Sequence, residues 1–504
     1  MNSRLACLGE RFCNGWHPMK APFWHTFRLL ALTIGVTVCL TAQAATKPNL
    51  VVINIDDLGY SDIEPYGSTL NRTPHLSRMA KEGMKLTSFY AAPVCSPSRS
   101  QLMTGSYFKR VSVNRVFFPG ESEGLASSEI TVAELLKQQG YATACIGKWH
   151  LGDQRGMLPT HQGFDYYYGI PYSNDMGPAE EGARSSLGDK PPEDKDDAKK
   201  RSAPKHPPLP LIRGDSELVV RVKAQEQTEL VERYTREAVK FIQRNKSKPF
   251  FLYLPHSSVH FPIYPGKNFA GKSPNGIYSD WVEETDWSVG QVLDKLRELK
   301  LDDNTLVIFT SDNGGTPRGK NLPLRGFKAS TLEGGMRTCT IAWWPGKIPA
   351  GTSTDEITGM IDILPTLVAL GGGKMPTDRK LDGMDITPLL LGQDYAKGHD
   401  AYFYFTARAR DGGVLEAVRA GHWKLEMKSG KLYDLKNDIG ESKDVAAKNP
   451  EMVKKLQAYA EEARADLGDG NEGPGCRPLG KVTNPKPIMD HDGLLRKGFK
   501  TVGR

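Results

Sequence analysis

NLVVINIDDLG, residues 49–59, is a continuous apolar, β-branched run that closes on a pair of carboxylates and a glycine. Such a run, bounded by turn residues, reads as a buried strand followed by a turn. The pattern recurs twice. TLVIFT (305–310) runs into Asp312-Asn313-Gly314-Gly315, and FFLYL (250–254) runs into Pro255-His256. Helical patterns separate these runs, over Thr73–Glu82, Thr131–Gln139, Leu230–Asn245 and Tyr278–Leu299. Alternating strands and helices predict an α/β fold with a large, mostly parallel or mixed sheet flanked by helices. In such sheets ligands bind beyond the carboxyl ends of the strands, where all three runs turn polar.

A chain of 504 residues is long for one core and predicts two domains. Residues 45–400 form the α/β domain, and Glu180–His206, dense in Gly, Pro and charge, reads as a mobile insertion. Residues 401–504 read as a smaller antiparallel sheet (Tyr402–Phe405, Val418–Met427, Lys431–Leu435), a helix Pro450–Leu467 and a Gly/Pro-rich tail. Residues 1–44 have basic residues up to Arg28, an apolar run Leu29–Leu40 and Ala42-Gln43-Ala44, the pattern of a cleaved export signal. No later segment is long enough for a stable membrane span. The leader holds Arg4, Arg11, Lys20 and Arg28 against Glu10, so the rest of the chain carries only about +4 of the +7 net charge. That is too little to argue for nucleic acid. Of seven cysteines, Cys95, Cys145, Cys339 and Cys476 lie beyond the leader, widely spaced and without zinc spacing, so no disulfide scaffold is expected. Asn71-Arg72-Thr73 and Asn245-Lys246-Ser247 are sequons of a kind common by chance.

Cys95-Ser96-Pro97-Ser98-Arg99, followed by Ser100 to Gly105, concentrates the chemistry. Cys95 reads as an N-cap with Pro97 in the first turn, where its missing N–H costs little. A helix N-terminus favours negative charge, and Arg99 lies one turn on, on the same side. Asp56, Asp57, Asp312 and Asn313 offer oxygen at two strand ends, which suits a hard cation. Ca²⁺ is favoured, with Mg²⁺ the alternative. Lys148 and His150 follow the short run Ala142–Ile146, and their spacing would aim both one way on an extended segment. His256 and His260 follow the third strand.

Cys-x-Pro-x-Arg at 95–99 resembles the sulfatase family, in which that cysteine is oxidised to formylglycine. Gly147-Lys148-Trp149-His150-Leu151-Gly152 is similar to the family's second signature. Leu324–Lys328 with Glu333–Arg337 resembles its lysine-bearing segment, and Leu432-Tyr433-Asp434-Leu435 its closing motif. His161–Phe164 and Gly169–Asp175 are similar to the arylsulfatase A branch. The resemblance implies an alkaline-phosphatase-like fold and hydrolysis of sulfate monoesters, small molecules or sugars, by the hydrated formylglycine. It implies metal binding by Asp56, Asp57, position 95, Asp312 and Asn313. Arg99, Lys148 and Lys328 would offset sulfate charge, and His150 would act as base on the formylglycine hydroxyl. His260 would bind sulfate and protonate the leaving group, Ser173 would touch sulfate, and His256 would be a wall residue. A formylglycine-generating enzyme is the implied maturation partner. The leader implies export, and the scarcity of cysteines favours a periplasmic or secreted location over a lysosome. Two rivals are a phosphomono- or phosphodiesterase of the same superfamily, which would want more zinc ligands, and a non-catalytic binder of sulfated glycans.

Overall fold

The computed structural model describes residues 47–189, 206–407 and 412–502. The export-signal reading of residues 1–44 and the centre of the 180–206 insertion fall outside them. Described residues from Lys47 onward belong to one compact unit.

The first quoted run is strand β1 (Asn49–Ile55), every residue buried. Its alternation feeds two cores, one on each face of the sheet. Leu50 and Val52 enter one apolar cluster, and Val51, Ile53 and Ile55 enter the other. Each such side chain contributes about 1.5–3 kcal/mol by burial. The remaining strands of the large sheet are β2 (Met84–Tyr90), β3 (Ala142–Ile146), β4 (Tyr166–Gly169), β5 (Leu209–Arg213), β6 (Glu217–Val222), β7 (Phe250–Pro255), β8 (Thr305–Ser311) and β9 (Arg337–Trp343). Their order is β2-β9-β8-β1-β7-β3-β4-β5-β6, with short edge pieces bringing the sheet to twelve strands. The central five, β8-β1-β7-β3-β4, are parallel. β9 runs against both β8 and β2, and β5 against β4 and β6. The sheet is therefore mixed.

Helices α1 (Pro74–Glu82), α2 (Cys95–Thr104), α3 (Val132–Gln138), α4 (Leu230–Arg244), α5 (Ile277–Glu298) and α6 (Ile363–Leu370) cover it. α3 starts on a capping box, with Thr131 Oγ1 accepting from the Glu134 N–H. None of the described helices is long and apolar enough to cross a membrane.

A second sheet follows, β10 (Tyr402–Phe405), β11 (Leu415–Ala420), β12 (Trp423–Glu426) and β13 (Leu432–Asp434), all antiparallel and in that order. The sequence merged β11 and β12 into one strand over Val418–Met427. A turn at Gly421, φ +55°, divides them instead. Helix α7 (Pro450–Leu467) lays Leu456, Ala460, Ala463 and Leu467 on this sheet. The tail does not stay with it. Gly480–Lys481 pairs with Glu123–Gly124, and Lys500–Thr501 extends the large sheet beside β6. The start of the expected mobile insertion is packed: Arg221 pairs with Glu181 at 2.7 Å and the Leu187 N–H donates to Ile263 O at 2.9 Å. At its far end His206 is buried and stacks on Phe118.

The four cysteines beyond the leader are unpaired. Asn71 is buried and its Nδ2 donates to Asp62 O at 2.7 Å, so the first sequon has no free acceptor amide in the folded chain.

Candidate active site

Register assembles the site. Ile55 of β1 pairs with Ser311 of β8, so Asp56 and Asp312 leave the sheet side by side. The Asp57 N–H then donates to Asp312 Oδ1 at 3.4 Å. Asn313 Nδ2 donates to Asp57 Oδ1 at 2.8 Å. Gly314 lets the second segment pass, since a Cβ there would lie 1.9 Å from Gly334 O. β2 delivers the helix that carries Cys95. Here Val94 is the N-cap and Cys95 the first helical residue, so the helix starts one position earlier than the sequence indicated. Ser98 Oγ donates to Ala92 O (3.1 Å) and accepts from the Ala92 N–H (2.8 Å), locking the entry turn.

Cys95 Sγ lies 3.3 Å from Asp56 Oδ1 and 3.4 Å from Lys328 Nζ. Arg99 Nε and Nη2 both donate to Asp312 Oδ2, at 3.0 and 2.8 Å, and Nη1 donates to Lys148 O at 2.6 Å. Lys148 Nζ bonds Asp56 Oδ2 and donates to Ser173 Oγ at 3.1 Å. Lys328 Nζ stands 2.6 Å from Asp57 Oδ1. His260 Nε2 is 3.7 Å from Asp57 Oδ2, and its Nδ1 is 3.5 Å from Ser173 Oγ. One cluster thus gathers Asp56, Asp57, Cys95, Arg99, Lys148, Ser173, His260, Asp312, Asn313 and Lys328.

Two family models match this chain: that described as Sulfatase over residues 48–373, and that described as N-sulphoglucosamine sulphohydrolase, C-terminal, over 328–466. The chain belongs to the sulfatase family. It is 36% identical over 469 residues to human arylsulfatase A, covering 85% of this chain and 89% of that one. To N-acetylgalactosamine-6-sulfatase of Canis lupus familiaris it is 35% identical over 413 residues, 78% and 74% of the two chains. The crystal structure of Ps i-CgsB in complex with k-i-k-neocarrahexaose is similar, with a TM-score of 0.72, 28% identity and coverage of 86% and 95%. This sulfatase is a sulfuric ester hydrolase with an alkaline-phosphatase-like fold.

The family implies formylglycine and a divalent metal, and the buried acidic cluster of the sulfatase fits a metal site. Asp56, Asp57, Cys95 and His260 bring ligand atoms within 4.8 Å of one another. Asn313 Oδ1 is buried without a hydrogen-bond partner among the described residues, an oxygen whose desolvation a cation would offset. Oxygen donors of this kind suit a hard cation.

Electrostatics follows from burial and charge. Burial would raise the Asp56 carboxyl, but Lys148, His260, Arg99 and Lys328 overcome it and hold the group well below its ordinary range. Asp312 goes the other way, raised by burial and by Asp56 beside it despite Arg99. Burial, Asp312 and Asp56 push the Cys95 thiol well above its ordinary value. It is therefore a neutral thiol near pH 7 and a poor nucleophile as it stands.

His150 departs from the extended geometry read from the sequence. Gly147 (φ +132°) and His150 (φ +66°) break the extended geometry that would have aimed Lys148 and His150 together. A Cβ on Gly147 would lie 1.9 Å from Pro255 O, so the crossing of β3 past β7 requires glycine. His150 Nε2 sits 3.0 Å from Phe117 O, which can only accept, so Nε2 carries the proton in the neutral ring. Nδ1 is buried without a partner among the described residues. Burial, then Lys148 and Arg99, hold the imidazole well below its ordinary value. His256 is buried behind the site, with Nε2 3.0 Å from Ser288 Oγ on α5. Burial lowers its pKa to about 3, so it stays neutral.

Sequence reasoning missed the support of the Lys328 loop. Lys424 Nζ donates to Thr331 O (2.9 Å) and Glu333 Oε1 (3.1 Å) and lies 2.7 Å from Glu441 Oε1. Tyr404 and Tyr90 hydroxyls also donate to Glu333. Glu333 was quoted only within a motif, and nothing in spacing joins it to a lysine of the second sheet.

Proposed function

We propose that the sulfatase acts through formylglycine made from Cys95, beside Ca²⁺ held by Asp56, Asp57, Asp312, Asn313 and the oxidised residue 95. The observation that carries this reading is the position of Cys95 Sγ, 3.3 Å from Asp56 Oδ1 in a cluster where the thiol itself is neutral. When present, formylglycine supplies a hydrated carbonyl as oxygen nucleophile and the cation supplies Lewis acidity.

The chain's own residues do the rest. Arg99 fixes Asp312 and the Lys148 carbonyl, holding two strand ends in one place. Lys148, Lys328, Ser173 and His260 surround the place where the sulfate oxygens go, and the two ammonium groups offset charge that grows as the ester breaks. His260 Nδ1–H is committed to the Phe261 carbonyl, so when the ring is an imidazolium its Nε2–H is the proton passed to the departing alcohol oxygen. His150 Nδ1, unprotonated because its ring is neutral and Nε2 holds the proton, takes a proton from a hydroxyl at position 95.

Sulfated sugars are the proposed substrates, supported by the glycan complexed in Ps i-CgsB and by the sugar named for the canine relative. The leader 1–44 supports export to the periplasm or beyond, and a formylglycine-generating enzyme is the proposed maturation partner. The test is mass spectrometry of the peptide containing residue 95, together with turnover of a sulfate ester. An aldehyde should replace the thiol in active protein, and full activity with the thiol intact overturns the mechanism.

A further inference from the structure

The loop that leaves Asn313 is fixed on several sides. The Gly315 N–H donates to Asn321 Oδ1 (3.0 Å), and Asn321 Nδ2 donates to Gly315 O (3.0 Å) and Gly326 O (3.1 Å). The Lys320 N–H donates to Asp62 Oδ1 (2.9 Å). A Cβ on Gly319 would lie 2.4 Å from Asp62 Oδ2 and 2.5 Å from Tyr278 Oη, so the loop is pressed against its supports. Arg318 rides on this loop and is exposed.

Arg318 is unlike the other arginines of the described residues. Each of those has an ion pair or a side-chain hydrogen bond, down to the exposed Arg236 with Glu232. Arg318 has neither among the described residues; its backbone N–H alone donates, to Thr316 Oγ1 at 3.4 Å. Its guanidinium instead lies 4.7 Å from the ring centroid of Phe261. Phe261 follows His260 directly, and the Lys328 N–H donates to Gly315 O of the same loop at 3.1 Å. A rigid loop and an aromatic seat thus hold an uncompensated cation beside the residue that faces the leaving group. A cation–π contact leaves the planar N–H fork free for an anion.

We infer that Arg318 on Phe261 is a subsite for a second anionic group on the leaving side of the substrate, so the sulfatase takes sulfated sugars that carry another sulfate or a carboxylate. This rests on the reading of the site as one for sulfated sugars. A guanidinium fork on sulfate or carboxylate makes charge-assisted hydrogen bonds, worth about tenfold or more in affinity.

Isothermal calorimetry on the full-length Cys95→Ala protein tests it without requiring turnover. The probes are a monosulfated hexosamine, its disulfated form, and a disaccharide joining the monosulfated sugar to a uronate. We expect the disulfated or the uronate-bearing sugar to bind about tenfold tighter than the monosulfated one; which of the two does so separates a sulfate from a carboxylate preference. Adding Arg318→Ala should remove most of that ratio, and Arg318→Lys should keep part of it. A ratio untouched in both variants, or no preference for either dianionic sugar in the parent, overturns the subsite. Failure of the unmutated, matured protein to hydrolyse any sulfated sugar would instead count against the substrate reading, and the calorimetry separates the two.

Discussion

Removing the Lys424 ammonium tests how the second sheet holds the active-site loop. Lys424 is 2% exposed at the side chain, and its partners Glu333 and Glu441 are 0% and 1% exposed. Glu333 keeps Arg337 at 3.4 Å and Arg419 at 3.9 Å. Glu441 has no other cation within ion-pair distance among the described residues. Lys424→Met keeps most of the aliphatic stem but leaves that carboxylate buried and uncompensated, a defect that costs about 3–5 kcal/mol. Glu441→Gln in the same chain removes the uncompensated charge and should restore at least about half of the loss, since both partners are then neutral. The assay is urea unfolding followed by tryptophan fluorescence for the four members of the cycle, with turnover measured in parallel. Because Lys424 also anchors Thr331 O, three residues from Lys328, kcat/KM should fall in the single variant and recover little in the double. A loss below about 1 kcal/mol in Lys424→Met, or strict additivity of the two changes, would refute the reasoning.

Chelation of the native protein should abolish turnover, and added Ca²⁺ should restore it; activity persisting after exhaustive dialysis against chelator excludes a required cation. Asn313→Ala removes one oxygen of the cluster and should weaken metal affinity while leaving the fold intact, read by Ca²⁺ titration of the melting temperature. His150→Ala should leave sulfate-ester binding in place and slow the release of sulfate; equal steady-state rates in variant and parent would remove His150 from the reaction. Burial would raise Glu333, but Lys424, Arg337 and Arg419 hold its pKa at about 2 against an ordinary 4.5. Its contribution is therefore fully present above the unfolded value and disappears as pH falls from about 4.5 towards 2. Acid unfolding of a Glu333→Gln variant should lose that part of its pH dependence, and an unchanged acid limb argues against a charged Glu333.

The three strand ends were legible because β1, β7 and β8 are buried on both faces and so read as unbroken apolar runs. The Cys95 helix was legible from Pro97 and Gly105. Strands such as β5 and β6, which follow the charged insertion, gave no comparable signal. Lys148 and His150 were drawn together by an extended-strand argument that fails, since positive φ at Gly147 and His150 sends them to different partners. Arg318 and Lys424 were invisible as functional candidates, because their meaning lies in which residues 57 and 91 positions away they meet or fail to meet.

Position 95 is 1% exposed, the first residue of α2, with its sulfur 3.3 Å from Asp56 Oδ1 just beyond the end of β1. An enzyme that has to take the residue 95 side chain into its own active site cannot do so in the folded chain. On the proposed maturation, the conversion must therefore finish while the segment is still an extended chain. A molecule that closes early keeps its sulfur for life, and the aldehyde fraction of a purified batch is a fossil of that race rather than an equilibrium.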